Sequence, residues 1–70
     1  MYEVKINTDV IKLDSFLKWC GAVSQGAEAK IFIKKGMVKV NGKMETRRSR
    51  KLYKDFTVEF ENKTYKITMF

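Results

Sequence analysis

The stretch that decides the fold runs from Lys30 to Lys54 and reads KIFIKKGMVKVNGKMETRRSRKLYK. It opens on the end of a helix, passes Gly36, turns at Asn41-Gly42 and continues into a basic strip. Val38 and Val40 alternate with Lys39, so two apolar side chains point one way and the lysine the other. Asn41-Gly42 is the strongest short signal for a two-residue type I′ turn, because both central residues need positive φ. Met37 to Met44 is therefore a predicted hairpin. The same stretch holds ten basic residues, seven lysines and Arg47, Arg48 and Arg50, against the single acid Glu45.

The rest of the chain has five lysines against seven acids, so the net charge of +7 comes entirely from this third of the molecule. An ordinary solvated surface intersperses the two signs. A concentrated single-sign field attracts polyanions and speeds their capture.

Outward from the strip, the pattern is periodic almost everywhere. Tyr2, Val4 and Ile6 alternate with Glu3 and Lys5, a half-buried strand, and Asn7-Thr8-Asp9 supplies turn chemistry. Leu13, Phe16, Leu17 and Cys20 fall on one helical stripe, with Asp14, Ser15 and Lys18 opposite and Gly21 placed as a left-handed cap. Trp19 flanks that stripe and reads as a core-edge residue. Ser24 is positioned to cap a second helix over about Gln25 to Lys35, with Glu28 in its first turn and Lys34-Lys35 in its last, both favourable to the helix dipole. Ala29, Phe32 and Ile33 share its core face, while Lys30 and Lys34 share another. A short connection makes the two helices a hairpin.

Beyond the strip, Phe56, Val58 and Phe60 alternate with polar residues, as do Tyr65, Ile67 and Met69. Asn62-Lys63 lies between these runs and marks a second hairpin. The segment Glu45 to Lys54 has weak periodicity and reads as an irregular connection or a short strand. The predicted class is α+β, a helical hairpin docked on a small, mostly antiparallel sheet.

Seventy residues make one domain over 1–70. Cys20 is the only cysteine and histidine is absent, so no metal site, cofactor site or imidazole base is expected. Ser15, Ser24 and Ser49 have no evident activating partner, and Cys20 reads as a small buried hydrophobe. The sequence points away from an enzyme, and no catalytic residue is assigned. No apolar run approaches the ~20 residues of a membrane span, and a cytoplasmic protein without a small-molecule substrate is expected.

The residues also carry a resemblance. Lys12-Leu13-Asp14, Leu17, Gly21, Ser24, Glu28-Ala29-Lys30, Ile33, Gly36, Val38, Val40 and Asn41-Gly42 resemble the RNA-binding domain named after ribosomal protein S-four, the S4 domain. The match covers about Ile11 to Asp55. The continuation Glu45-Thr46-Arg47-Arg48-Ser49-Arg50-Lys51-Leu52-Tyr53 is similar to a narrower group, the small free-standing bacterial members called YaaA-like. Lys12 and Lys30 stand where the wider family has arginine, and Ser49 where glycine is usual. The resemblance implies structured RNA, often ribosomal RNA, as the partner.

From charge, position and resemblance together, Lys12, Ser24, Lys30, Lys34, Lys35, Lys39, Arg47, Arg48, Arg50 and Lys51 are the expected RNA-binding residues. The expected function is non-enzymatic binding of ribosomal RNA, in ribosome assembly or rescue. Two alternatives stay open: a protein–protein adaptor whose strip meets an acidic partner, and duplex DNA binding. The second would need base-reading side chains on the basic helix, which offers only lysines.

Overall fold

The computed structural model describes residues Met1–Phe70. Strand β1 (Tyr2–Ile6) and the short β2 (Ile11–Lys12) lead into helices α1 (Leu13–Trp19) and α2 (Gly26–Lys34). Strands β3 (Val38–Val40), β4 (Lys43–Met44), β5 (Lys51–Leu52), β6 (Thr57–Phe60) and β7 (Lys63–Met69) follow. Five of the strands form one sheet in the order β1-β7-β6-β3-β4, antiparallel except for the parallel β1–β7 pair at one edge. Strands β2 and β5 form a separate antiparallel pair. The α+β class with a helical hairpin on a mostly antiparallel sheet holds.

Alternation along the strands decides which face is covered. Ile6, Val38, Val40, Val58, Phe60, Tyr65 and Ile67 are buried, and both helices supply their apolar stripes to the same core. Phe16 of α1 meets the Tyr65 ring edge-on at 6.3 Å, and Phe32 of α2 lies 5.1 Å from Phe60. Removing such apolar surface from water is the main favourable contribution to folding. Trp19, about half exposed, donates its indole N–H to the Lys5 carbonyl at 2.7 Å, tying the end of α1 to β1.

The helix ends follow local chemistry. Gly21 and Gly36 adopt φ +80 and +75 just past α1 and α2, where a side chain would strain the backbone. The cap of α2 differs from expectation: Gln25, not Ser24, is the cap residue. The Glu28 carboxylate accepts the Ser24 hydroxyl at 2.5 Å and the backbone N–H groups of Ser24 and Gln25. These bonds hold the Glu28 carboxyl below its usual range, the Ser24 hydroxyl contributing most. Ser24 thus completes the cap from outside it, through Glu28.

Two more features depart from the expected layout. The last hairpin turns at Glu61-Asn62, both with positive φ, and Lys63 already pairs with Phe60. Keeping Phe60 and Tyr65 on the buried face fixes that register. The second departure is β2–β5. Each of these strands is two residues long, too short to show a period, and they exist because Ile11 and Leu52 pair beside the core.

Candidate nucleic-acid interface

The basic strip is built on a rigid frame. Asn41 and Gly42 take φ +52 and +83, and the flanking register is Val40 opposite Lys43, so the predicted Asn-Gly hairpin is present. The Asn41 side-chain oxygen accepts the Thr57 N–H at 2.9 Å, while its own N–H donates to the Thr57 carbonyl at 2.8 Å. The turn is thereby locked to β6.

After β4 the chain reverses over Arg47–Arg50, the Arg50 N–H donating to the Arg47 carbonyl at 3.2 Å. This turn rests on the start of α1. The carbonyls of Arg50 and Arg48 accept the N–H groups of Leu13 and Asp14 at 2.9 and 3.0 Å. Two of the helix donors that lack intrahelical partners are satisfied in this way. The consequence is that a basic loop is fixed by its backbone, and its side chains are left for other work.

Glu45 fixes two of them. It is the one charged residue buried in the protein, 8% exposed. Its carboxylate accepts the backbone N–H groups of Thr46 and Arg47 at 3.1 and 3.0 Å. It also accepts Nε and Nη2 of Arg47 at 3.1 and 3.3 Å, and Nη1 of Arg50 at 3.1 Å. The Arg47 hydrogen bonds, with its charge and that of Arg50 behind them, hold the Glu45 carboxyl down to about 2. The same contact raises Arg47 further above its ordinary value. Arg47 remains largely exposed, at 70% of its side chain, and Arg50 at 35%.

Two adjoining surface grooves meet at these arginines. One, of about 450 Å³, is walled by Asn41, Lys43, Met44 and Glu45. The other, of about 410 Å³, is walled by Ser49, Lys51 and Tyr53. Arg47 and Arg50 line both. Lys51 stands directly opposite Lys12 in the β2–β5 pair, both side chains exposed. Like charges facing across a ladder destabilise it, and an anion between them would relieve that repulsion.

The expected site residues divide into groups. Lys12, Arg47, Arg48, Arg50 and Lys51 come together around the turn on α1. Lys30, Lys34 and Lys35 are exposed along α2 and its cap, and line neither groove. Met44 connects the two regions: it walls the first groove, and its sulfur packs directly over Gly36 at the end of α2. Lys39 lies on the outer sheet face, opposite Glu59. It lines the largest depression, about 560 Å³, together with Glu59, Glu61 and Lys63, a field of mixed sign. Ser24 is engaged with Glu28. Glu45, Lys43 and Tyr53 were not among the expected residues. For Glu45 a signal existed in the sequence, a lone acid among ten cations with arginines two and five positions later.

Fold and surface define a class: a small α+β module that presents arginines from a braced turn beside the start of a helical hairpin. The S4 domain family matches residues 4–68, and the chain belongs to that family. It is 40% identical, over 83% of its length and 82% of the relative's, to a Bacillus subtilis (strain 168) protein named as a probable ribosome maturation protein, RlbA. Among solved structures it resembles YbcJ from E. coli, described as having an alfaL motif involved in RNA-binding. That likeness has a TM-score of 0.66 at 34% identity, over 96% of this chain and 84% of YbcJ. It also resembles the 30S ribosomal protein S4e of Thermoplasma acidophilum, with a TM-score of 0.64 at 19% identity. There the likeness is of fold: it covers 86% of this chain, which spans about a third (32%) of that protein.

Proposed function

We propose that this protein binds structured RNA, specifically ribosomal RNA, and acts in ribosome maturation in the cytoplasm without catalysing a reaction. One observation carries the reading: the buried Glu45 pins Arg47 and Arg50 on a turn that is itself bonded to α1. A guanidinium has five N–H donors, so each arginine keeps several for a phosphate after Glu45 is satisfied. Arg48, Lys51 and Lys12 add exposed charge around the same turn. Lys30, Lys34 and Lys35 extend the surface along α2, Lys39 supplies a contact on the sheet side, and Ser24 supports the helix start through Glu28. Phosphate contacts of this kind give affinity and register and carry no base sequence. The name of the Bacillus relative and the description of YbcJ support ribosome maturation and RNA as the setting. No helix is long and apolar enough to cross a membrane.

The test is binding to a structured ribosomal RNA fragment and to duplex DNA of equal length across a salt series. Affinity should fall with a logarithmic slope of about −0.7 to −0.9 per phosphate contacted. RNA should be preferred at every salt, because A-form shape and 2′-hydroxyls distinguish the two. Equal affinities would leave a generic polyanion binder. Salt-resistant capture of an acidic protein, with no affinity for RNA, would turn the reading to an adaptor.

A further inference from the structure

The groove walled by Arg47, Ser49, Arg50, Lys51 and Tyr53 is the one place where an open aromatic ring joins the concentrated basic residues. Tyr53 is 47% exposed although it directly follows Leu52, which is fully buried. Its position is fixed on both sides. The Tyr53 carbonyl accepts the Phe56 N–H at 3.1 Å, closing a turn in which Asp55 takes φ +72. Asp55 donates its own N–H to the Ile67 carbonyl at 2.8 Å, stapling that turn to β7. The Phe56 ring meets Tyr53 edge to face with centroids 5.6 Å apart, and the Arg50 guanidinium lies 5.9 Å from the same Phe56 ring. Phe56 is therefore a common backing for one arginine and one tyrosine, both of which line the groove.

From this arrangement we infer that the groove is a subsite for a single unpaired nucleotide, a deepening that rests on the RNA-binding reading above. The phosphate lies on Arg47, Arg50 and Lys51, and the base stacks on the free area of the Tyr53 ring. The chemistry is complementary to both halves of a nucleotide. Three cations and the Ser49 hydroxyl supply donors for phosphate oxygens. The tyrosine supplies a rigid π-surface that any base can cover, so the subsite selects an unstacked nucleotide and not a base identity. A paired base has both faces covered by its neighbours and cannot use the ring, whereas loops and bulges can. The mixed-charge depression at Glu59 and Glu61 has neither the uniform charge nor an exposed ring.

The experiment measures dissociation constants of the full chain for two RNAs of equal length. One is a hairpin with one bulged nucleotide, replaced by 2-aminopurine, and the other is its fully paired counterpart. Wild type, Tyr53→Phe, Tyr53→Ala and Tyr53→Leu are compared, the leucine retaining an apolar contact with Phe56. Wild type and Tyr53→Phe are expected to prefer the bulged RNA and to quench the 2-aminopurine fluorescence. The alanine and leucine variants should lose roughly 5- to 140-fold of affinity for the bulged RNA only, the range for removing one stacking aromatic. Their salt slopes should be unchanged, because stacking releases no counterions. Equal losses on both RNAs, or no loss on either, would overturn the subsite while leaving RNA binding in place. Failure of the wild-type protein to bind either RNA would overturn the RNA reading and the subsite with it.

Discussion

Replacing Glu45 with glutamine isolates what the buried carboxylate does. The wild-type carboxyl titrates at about 2 against an ordinary 4.5. Taken at 1.36 kcal/mol per unit, a difference of this size would be worth about 3 kcal/mol. The Arg47 side chain that bonds the Glu45 carboxylate, however, is 70% exposed. Solvent screening therefore brings the expected contribution down to about 1–2 kcal/mol. For a domain of this size that is roughly 7–14 °C in melting temperature. The folded-state value is lowered, so the stabilisation is complete above the ordinary value and is lost as pH falls through the folded one. The assay is thermal unfolding of both proteins from pH 7 to pH 2, read as a difference so that the other carboxylates cancel. Wild type should melt higher at pH 7, and the gap should close between pH 4.5 and about 2. A gap that is absent at pH 7, or constant down to the lowest pH, would refute the reasoning.

Other substitutions test the frame and the surface separately. Gly42→Val should destabilise the domain by about 1–2 kcal/mol in urea unfolding through backbone strain alone, because φ is +83 and no atom lies within 4 Å of the added Cβ. Gly36→Ala should also destabilise the domain, since φ is +75 and the new methyl displaces the flexible Met44 side chain. Combining it with Met44→Ala should recover part of the loss, and equal melting curves for the single and double variants would count against that contact. Arg48→Ala with Lys51→Ala should leave stability within about 0.5 kcal/mol. The same pair should reduce the salt slope for RNA by about 1.4–1.8, the contribution of two phosphates.

Most of the fold was legible because its long elements are periodic. Tyr2–Ile6, the Leu13-Phe16-Leu17 stripe, the Asn41-Gly42 turn and the alternation through Val58 and Ile67 all lie where pattern and turn chemistry put them. What escaped was set by tertiary contact. Two-residue strands such as β2 and β5 have no period to read. The parallel pairing of β1 with β7 joins the two ends of the chain, and no local signal specifies it. Glu61-Asn62 takes the hairpin turn although glutamate rarely accepts positive φ, because moving the turn by one residue would carry Tyr65 and Ile67 to the solvent face.

The site was legible in charge and not in geometry. The lack of hydrophobic period over Glu45 to Lys54 says nothing of ion pairs within it, and the structure ties Arg47 and Arg50 to Glu45 while leaving Arg47 largely exposed. The difference follows from what an acid contributes in such a place. Glu45 lowers the net charge of the strip by one, which weakens its attraction for any polyanion at long range. In return it takes Nε and Nη2 of Arg47 and Nη1 of Arg50, so neither guanidinium swings freely and less entropy is lost when a phosphate docks. Lysine could not serve here, since an ammonium satisfied by one carboxylate has no planar fork left to present. Arginine stands at both positions whose side chains bond the buried acid. On the proposed RNA-binding reading, charge would draw the RNA to this surface and Glu45 would set the geometry of the two arginines that meet it.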